Sequence, residues 1–187
     1  MKPQTQEQFH FFYGGPFSQW AFSPFTVNGI YYKTAEHYMM WYKDQLFGGT
    51  LSDEILAVDH PRDAKLLGRK VPNFNINVWN AVAKPGVYRG NMAKFTQNPL
   101  MLQQLMETYG YTLVEASPTD IVWGIGLGEH DPLRLDRSNW RGTNWLGDVL
   151  MDVRDTLTLA YRWHDDPSEI GNPTIIEGEN LIGSVEL

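Results

Sequence analysis

Apolar and polar positions along the chain fall into blocks that change period several times, and most blocks carry the helical period. The runs FHFFY (9–13) and GIYY (29–32) are short and aromatic-rich, which predicts strands, with Asn28-Gly29 as a tight turn before the second. Thr34 is placed to cap a helix that runs to about Phe47 and stops at Gly48-Gly49. Ser52 predicts a cap for the next helix. Pro61 ends that helix and opens a short one closing at Gly68. Residues 70–79 (KVPNFNINVW) read as a loop, and a helical pattern follows from Trp79 to Phe95, interrupted or kinked at Pro85-Gly86. Asn98-Pro99 starts another helix, closed at Gly110. YTLVEA (111–116) and DIVWGIG (120–126) predict short strands before a long glycine- and charge-rich loop. A last helix begins near Asn144, with Leu146, Val149, Leu150, Val153 and Leu157 on one face. The predicted architecture is a mainly α-helical single domain over 9–162, with a few short antiparallel strands and a tail at 163–187.

The segment KTAEHYMMWYKDQLFGG (33–49) carries the most chemistry. At ~100° per residue, Ala35, Tyr38, Met39, Tyr42 and Leu46 form one stripe within about 100°. Glu36 and Lys43 sit ~20° apart on its flank, about two turns apart along the axis, with His37 and Asp44 on the opposite side. Two readings fit. Either the acid and the amine are working groups at a pocket wall, or they are solvated charges that the helix dipole favours at those ends.

Composition narrows the function. A chain of 187 residues buries one substantial core, and a 13% aromatic share suits pockets that stack flat rings. Without cysteine there is no disulfide framework or thiolate metal site. The beginning MKPQTQEQFHFF has no apolar signal region and nowhere do ~18 apolar residues run together, so a cytoplasmic protein without a membrane partner is expected. A net charge of −7 argues against non-specific binding along a nucleic-acid backbone. Between Arg62 and Lys94, however, seven basic residues face the single acid Asp63. That window is either a phosphate-facing surface or a pair of solvated helix faces.

Other constellations are weaker. WGIGLG (123–128) lacks the Lys-Ser/Thr pair of a phosphate loop, and it leads into a loop rather than a helix. His10, His37, His60, His130 and His164 have no metal-ligand spacing, and no Gly-x-Ser-x-Gly elbow occurs; neither a metal nor another cofactor is expected.

Several motifs together resemble the NADAR family, also called YbiA-like. They are FSPF (22–25), VNGIYYKTAEHYMMWYK (27–43), DAKLLGRK (63–70), Trp79, AKFTQNP (93–99), LVEASPTDIVWGIG (113–126) and GTNWLGDVLMDVR (142–154), in the family's order across residues 9 to 160. The resemblance implies a largely helical fold and hydrolysis of an N-glycosidic bond between ribose C1 and an exocyclic amino nitrogen. It implies two substrate groups: phosphorylated ribosylamino-pyrimidine intermediates of riboflavin synthesis, and guanine carrying ADP-ribose, free or within a nucleic acid. By motif, Glu36, Lys43 and Asp120 are the implied catalytic residues. Phe22, Tyr38, Arg69, Lys70, Trp79, Trp123, Gly124, Asn144 and Gly147 are the implied substrate-binding ones. The chain departs from the family pattern at Ile125, at Pro85-Gly86 and in a longer loop over 127–141, all of which bear on substrate choice.

Two mechanisms fit these residues. In one, a neutral Lys43 attacks the ring-opened imine of the substrate and forms a Schiff base, while Glu36 or Asp120 moves the protons. In the other, Glu36 and Asp120 act as acid and base across an oxocarbenium-like transition state, and Lys43 only steadies charge. The aromatic and basic features alone also suit a non-catalytic module that binds ADP-ribose; the acid and amine together favour an enzyme. Trp79 and Trp123 are equally read as core aromatics, Asp120 as a turn residue, and Asn144 as the cap of the last helix.

Overall fold

The computed structural model describes residues 7–160; the predicted tail at 163–187 lies outside the described residues. The elements follow in the order β1 (Phe9–Phe12), β2 (Phe25–Val27), β3 (Ile30–Tyr32), α1 (Ala35–Phe47), α2 (Ser52–Ala57), α3 (Pro61–Gly68), α4 (Ile76–Gln97), α5 (Pro99–Met106), β4 (Thr112–Glu115) and α6 (Trp145–Ala160). The chain is mainly helical with a few short strands, as its periodicity predicts.

Local rules account for most boundaries. Asn28 and Gly29, both at positive φ, close the β2–β3 hairpin. The Thr34 hydroxyl accepts from His37 N at the start of α1, and Gly48 (φ 130) ends that helix. Ser52 does not cap α2. It lies inside the helix, and its hydroxyl donates to Asp44 Oδ2 at 2.7 Å. Asn75 caps α4, so the helix begins within the segment expected to be a loop.

Three long-range outcomes differ from expectation. First, β2–β3 is antiparallel, but β1 pairs with β4 in parallel, Phe9 opposite Thr112 and Phe12 opposite Glu115. Second, DIVWGIG is not a strand. Its backbone zips onto residues 141–146 through bonds such as Thr143 N to Ile121 O (3.1 Å) and Leu146 N to Trp123 O (3.0 Å). Third, α4 runs unbroken through Pro85. A mid-helix proline costs about 3 kcal/mol, and here α1 packs closely over that point. A Cβ on Gly86 would lie 2.2 Å from the Tyr42 ring, and one on Gly90 2.3 Å from that of Tyr38.

The main core joins Met39 and Met40 of α1, Trp79, Val87 and Phe95 of α4, Leu105 of α5, Leu113 of β4 and the predicted stripe of α6. α1 packs on α3 and α4, and α6 on α4 and β4. This arrangement brings the first turn of α1, one face of α3 and the C-terminal end of β4 to one side of the core. Among the described residues no helix is long and apolar enough to cross a membrane.

Candidate functional site

The segment before β2 fixes the first turn of α1. Glu36 N donates to Gln19 O at 2.9 Å, the Gln19 side chain bonds Asn91 of α4 (3.1 Å), and Lys94 Nζ of α4 donates to Ser18 O (2.9 Å). With residues 18–20 tied across it, Glu36 is only 4% exposed, and its Oε1 is buried without a hydrogen-bond partner among the described residues. Burial pushes the Glu36 carboxyl above its ordinary range. Lys65, a hydrogen bond from the Trp20 side chain, and Arg69 pull it back, while the charge of Asp120 adds to the rise.

A second acid, half-buried, shares this electrostatic neighbourhood. Glu115 closes β4, and burial, Asp120 and Glu36 together push its carboxyl up to about 7 against the pull of Lys65. Its Oε2 is also buried and unpartnered among the described residues. Asn144 holds the Glu115 backbone: its Oδ1 accepts from Glu115 N (3.0 Å) and its Nδ2 donates to Leu113 O (2.9 Å). Asp120 opens the adjoining loop, with Oδ1 accepting from Val122 N (2.9 Å) and Trp123 N (2.8 Å). Unpaired buried polar atoms are uncommon in native proteins. Two on neighbouring carboxyls, both protonated more readily than usual, mark a site rather than a scaffold.

Lys43 lies further along α1, half-buried. Its Nζ donates to Gly68 O at 2.8 Å and sits 4.1 Å above the Phe74 ring and 6.0 Å from that of Trp79. Burial lowers its pKa, Arg69 lowers it further, and Glu36 opposes both. The acid and the amine therefore share one electrostatic neighbourhood, and Arg69 acts on both.

The structure gathers Glu36, Lys43, Arg69 and Asp120, with Trp79 flanking Lys43 and Trp123 held by Asp120. Lys70 is exposed just beyond α3, and Phe22 is 70% exposed on the loop after Trp20. Others are scaffold. Tyr38 is 2% exposed among Phe25, Tyr32, Trp41 and Tyr42, so its ring faces are covered by protein. Asn144 clamps β4 with its side chain instead of capping α6. Gly124 and Gly147 allow close backbone approach: a Cβ would fall 2.9 Å from Glu115 O in the first and 2.1 Å from Leu113 O in the second. His37 and Asp44, expected on an outward face, are fully buried. His37 bridges Thr34 Oγ1 and Val58 O, and Asp44 holds Leu51 N and the Ser52 hydroxyl.

Glu115, Lys65 and Trp20 are the members that periodicity does not single out. Glu115 left one signal, an acid inside the otherwise apolar run LVEA. Lys65 was one of seven similar cations, and only the packing of α3 on α1 turns it toward Glu36 and over the Trp20 ring at 5.9 Å. Among the described residues no three metal-ligating side chains gather to hold an ion. The arrangement combines carboxyls that burial raises with an amine whose pKa burial lowers.

Comparison with known proteins gives concordant results. The NADAR domain matches residues 9–158. An N-glycosidase of Acanthamoeba polyphaga mimivirus is 41% identical over 145 residues, spanning 74% of this chain and 85% of that protein. The chloroplastic riboflavin biosynthesis protein PYRR of Zea mays is 31% identical over 159 residues, spanning 76% of this chain but 23% of that one. The NMR structure of YbiA from E. coli matches with a TM-score of 0.68 at 28% identity, over 87% of this chain and 92% of that one.

Proposed function

The chain belongs to the NADAR family and is a hydrolase of its N-glycosidase type, and we propose that it cleaves the bond between ribose C1 and an exocyclic amino nitrogen of a base. Its substrate is ADP-ribosylated guanine or a phosphorylated ribosylamino-pyrimidine. The kinship with a riboflavin biosynthesis protein of Zea mays supports the second group. Exposed Arg69 and Lys70 at the end of α3 supply cations for the phosphates of either.

One observation carries this reading: the buried, unpartnered carboxyl of Glu36 acts on the same amine, Lys43, whose ammonium form burial disfavours. A module that only bound ADP-ribose would need neither a buried acid held above its ordinary range nor a lysine whose pKa burial lowers. The reaction begins when the ribosylamine opens to an imine and Lys43 adds to C1. The C1–N bond to the base then breaks, its electron pair stays on nitrogen, and that nitrogen takes a proton from the Glu36 side. C1 remains as a protonated Schiff base on Lys43. Water converts this to the free sugar aldehyde and the Lys43 ammonium. Asp120 keeps the Trp123 loop against the site, and Phe74 and Trp79 wall the amine.

The test pairs an ADP-ribosylated guanine oligonucleotide with a ribosylamino-pyrimidine phosphate, read by mass spectrometry with and without borohydride. Wild type releases free base from at least one, E36Q loses about 10²-fold or more in rate, and borohydride leaves a reduced sugar adduct on Lys43. Binding without release of base by wild type means a reader instead of an enzyme. Release without an adduct assigns the chemistry to the carboxyls alone.

A further inference from the structure

We propose that Lys94 is a positioning residue of the hydrolase: from inside the fold it fastens residues 18–20 across the first turn of α1, and so keeps the Glu36 carboxyl fixed and shielded from water for its proton transfer. The inference deepens the N-glycosidase reading and rests on it.

A row of α4 side chains grips the chain that leads into β2. Asn91 Oδ1 accepts from Gln19 Nε2 (3.1 Å), and Lys94 Nζ donates to Ser18 O (2.9 Å). Gln97 pairs with both backbone groups of Thr26, at 2.9 Å each. Spaced three apart, the three residues lie on one side of the helix, within about 120°. Asn98, at the helix end, adds a bond from Nδ2 to Pro24 O (3.1 Å). The segment 18–26 is thus held near both ends, and between them Trp20 and Phe22 stand exposed.

Glu36 depends on the nearer end. Its N–H belongs to the first turn of α1, where no carbonyl of the helix itself can accept it. Gln19 O accepts it instead, at 2.9 Å. The preceding carbonyl, Ser18 O, is the one that Lys94 holds. Two consecutive carbonyls therefore connect an amine inside the core to the backbone of the buried acid.

Packing alone does not account for Lys94. The side chain is fully buried, its Nζ lies 5.1 Å from the Phe95 ring centroid, and no carboxylate bonds it among the described residues. A methionine would fill similar space without burying an amine. What methionine lacks is a donor for Ser18 O. Charged or neutral, the amine keeps an N–H for that carbonyl, so the fastening is independent of its protonation. Asn91 is buried as deeply, and its Nδ2 is occupied by Val87 O (2.9 Å), which turns Oδ1 toward Gln19. With residues 18–20 released, water would reach the unpartnered Glu36 Oε1. A hydrated carboxyl gives up its proton more readily in the resting enzyme and has less often one to deliver to the departing nitrogen.

The experiment compares wild type, K94M and N91L at pH 7 by amide hydrogen exchange, by kcat and KM on the substrate that wild type cleaves, and by thermal melting. In K94M the Glu36 amide exchanges about tenfold faster, while the Leu150 amide in the core of α6 keeps its protection. The same variant loses about 10- to 10²-fold in kcat with KM changed less than about twofold. N91L, which cuts the neighbouring bond, moves both readouts in the same direction, and it decides the matter alone if K94M does not fold. A variant whose Tm falls while Glu36 exchange stays at the wild-type rate gives Lys94 a structural role only and overturns the inference. Unchanged kcat in both variants overturns it as well and leaves the enzyme reading standing. If wild type cleaves neither substrate, the N-glycosidase proposal for these substrates fails, and the exchange rates still decide whether Lys94 holds the first turn of α1.

Discussion

Lys94 combines a full positive charge in water with a side chain that is 0% exposed in the fold, and no carboxylate bonds it among the described residues. Its one polar contact is Ser18 O, and burial lowers its pKa from 10.5 to about 7. Between those two values the unfolded chain binds a proton that the folded chain does not, so stability rises with pH across that window, by about 1.4 kcal/mol per pH unit at most. Thermal melts at pH 7 to 9.5 should show wild type gaining on Lys94→Met, which has nothing to titrate there. Parallel curves would mean that Lys94 stays charged inside. The residue scale is where sequence is weakest on the site. Lys94 sits in the AKFTQNP motif and reads as one more surface cation of a basic window. Glu36, in contrast, was legible as an acid two turns from an amine, because both lie on one helix and their angular relation depends only on helix geometry. That it is wholly buried, rather than at a border, depends on Gln19 and Trp20 crossing over it.

At the scale of elements, β4 and α6 are joined by unusually close packing. Gly147 lies where a Cβ would come within 2.1 Å of Leu113 O, a backbone atom that cannot swing away, and within 2.4 Å of the Asn144 amide. Gly147→Ala is expected to cost roughly 2–3 kcal/mol, a fall in Tm of about 4–12 °C, and to impair turnover by displacing the Glu115 backbone that Asn144 holds. A variant with unchanged Tm would show that α6 can slide without penalty. The same scale explains which elements were readable. The Asn28-Gly29 turn, the Thr34 cap, the Gly48 stop and the Pro61 and Pro99 starts are set by demands within a few residues, and all of them are found. DIVWGIG has the apolar content of a strand, but its carbonyls accept from the amides of residues 141–146, which no local pattern reveals. Pro85 was expected to interrupt or kink α4; the helix is continuous there, with α1 tyrosines packed over Gly86 and Gly90.

For the whole molecule, the site is bought with stability. Glu115 has its pKa raised from 4.5 to about 7, so between those values the folded chain holds a proton that the unfolded chain has released. Stability contributed by this group is complete below pH 4.5 and declines as pH rises to about 7; Glu36, raised in the same direction, adds to the loss. Glu115→Gln removes the titration. Its Tm should exceed that of wild type at pH 8, by up to about 3 kcal/mol of stability, with the gain shrinking toward pH 5. A gain independent of pH would place its origin elsewhere. Lys94 acts above pH 7 and Glu115 below it, so the two contributions separate on one stability curve.

The sequence by itself determined the helical character, the turns and caps, the resemblance that the comparisons bear out, and the pairing of an acid with an amine along α1. Those depend on chirality, backbone sterics and a fixed rise per residue, which act over a few positions. The tertiary structure alone decided that the Glu115 carboxyl is pushed up by burial and by the charges of Asp120 and Glu36. β4 reaches that neighbourhood by pairing in parallel with β1 across about a hundred residues of chain, and the charge of Lys65 on α3 acts on both Glu115 and Glu36. Which charges lose their water, and which neighbours then set their protonation, follows from where distant segments meet, and no local pattern of residues encodes that meeting.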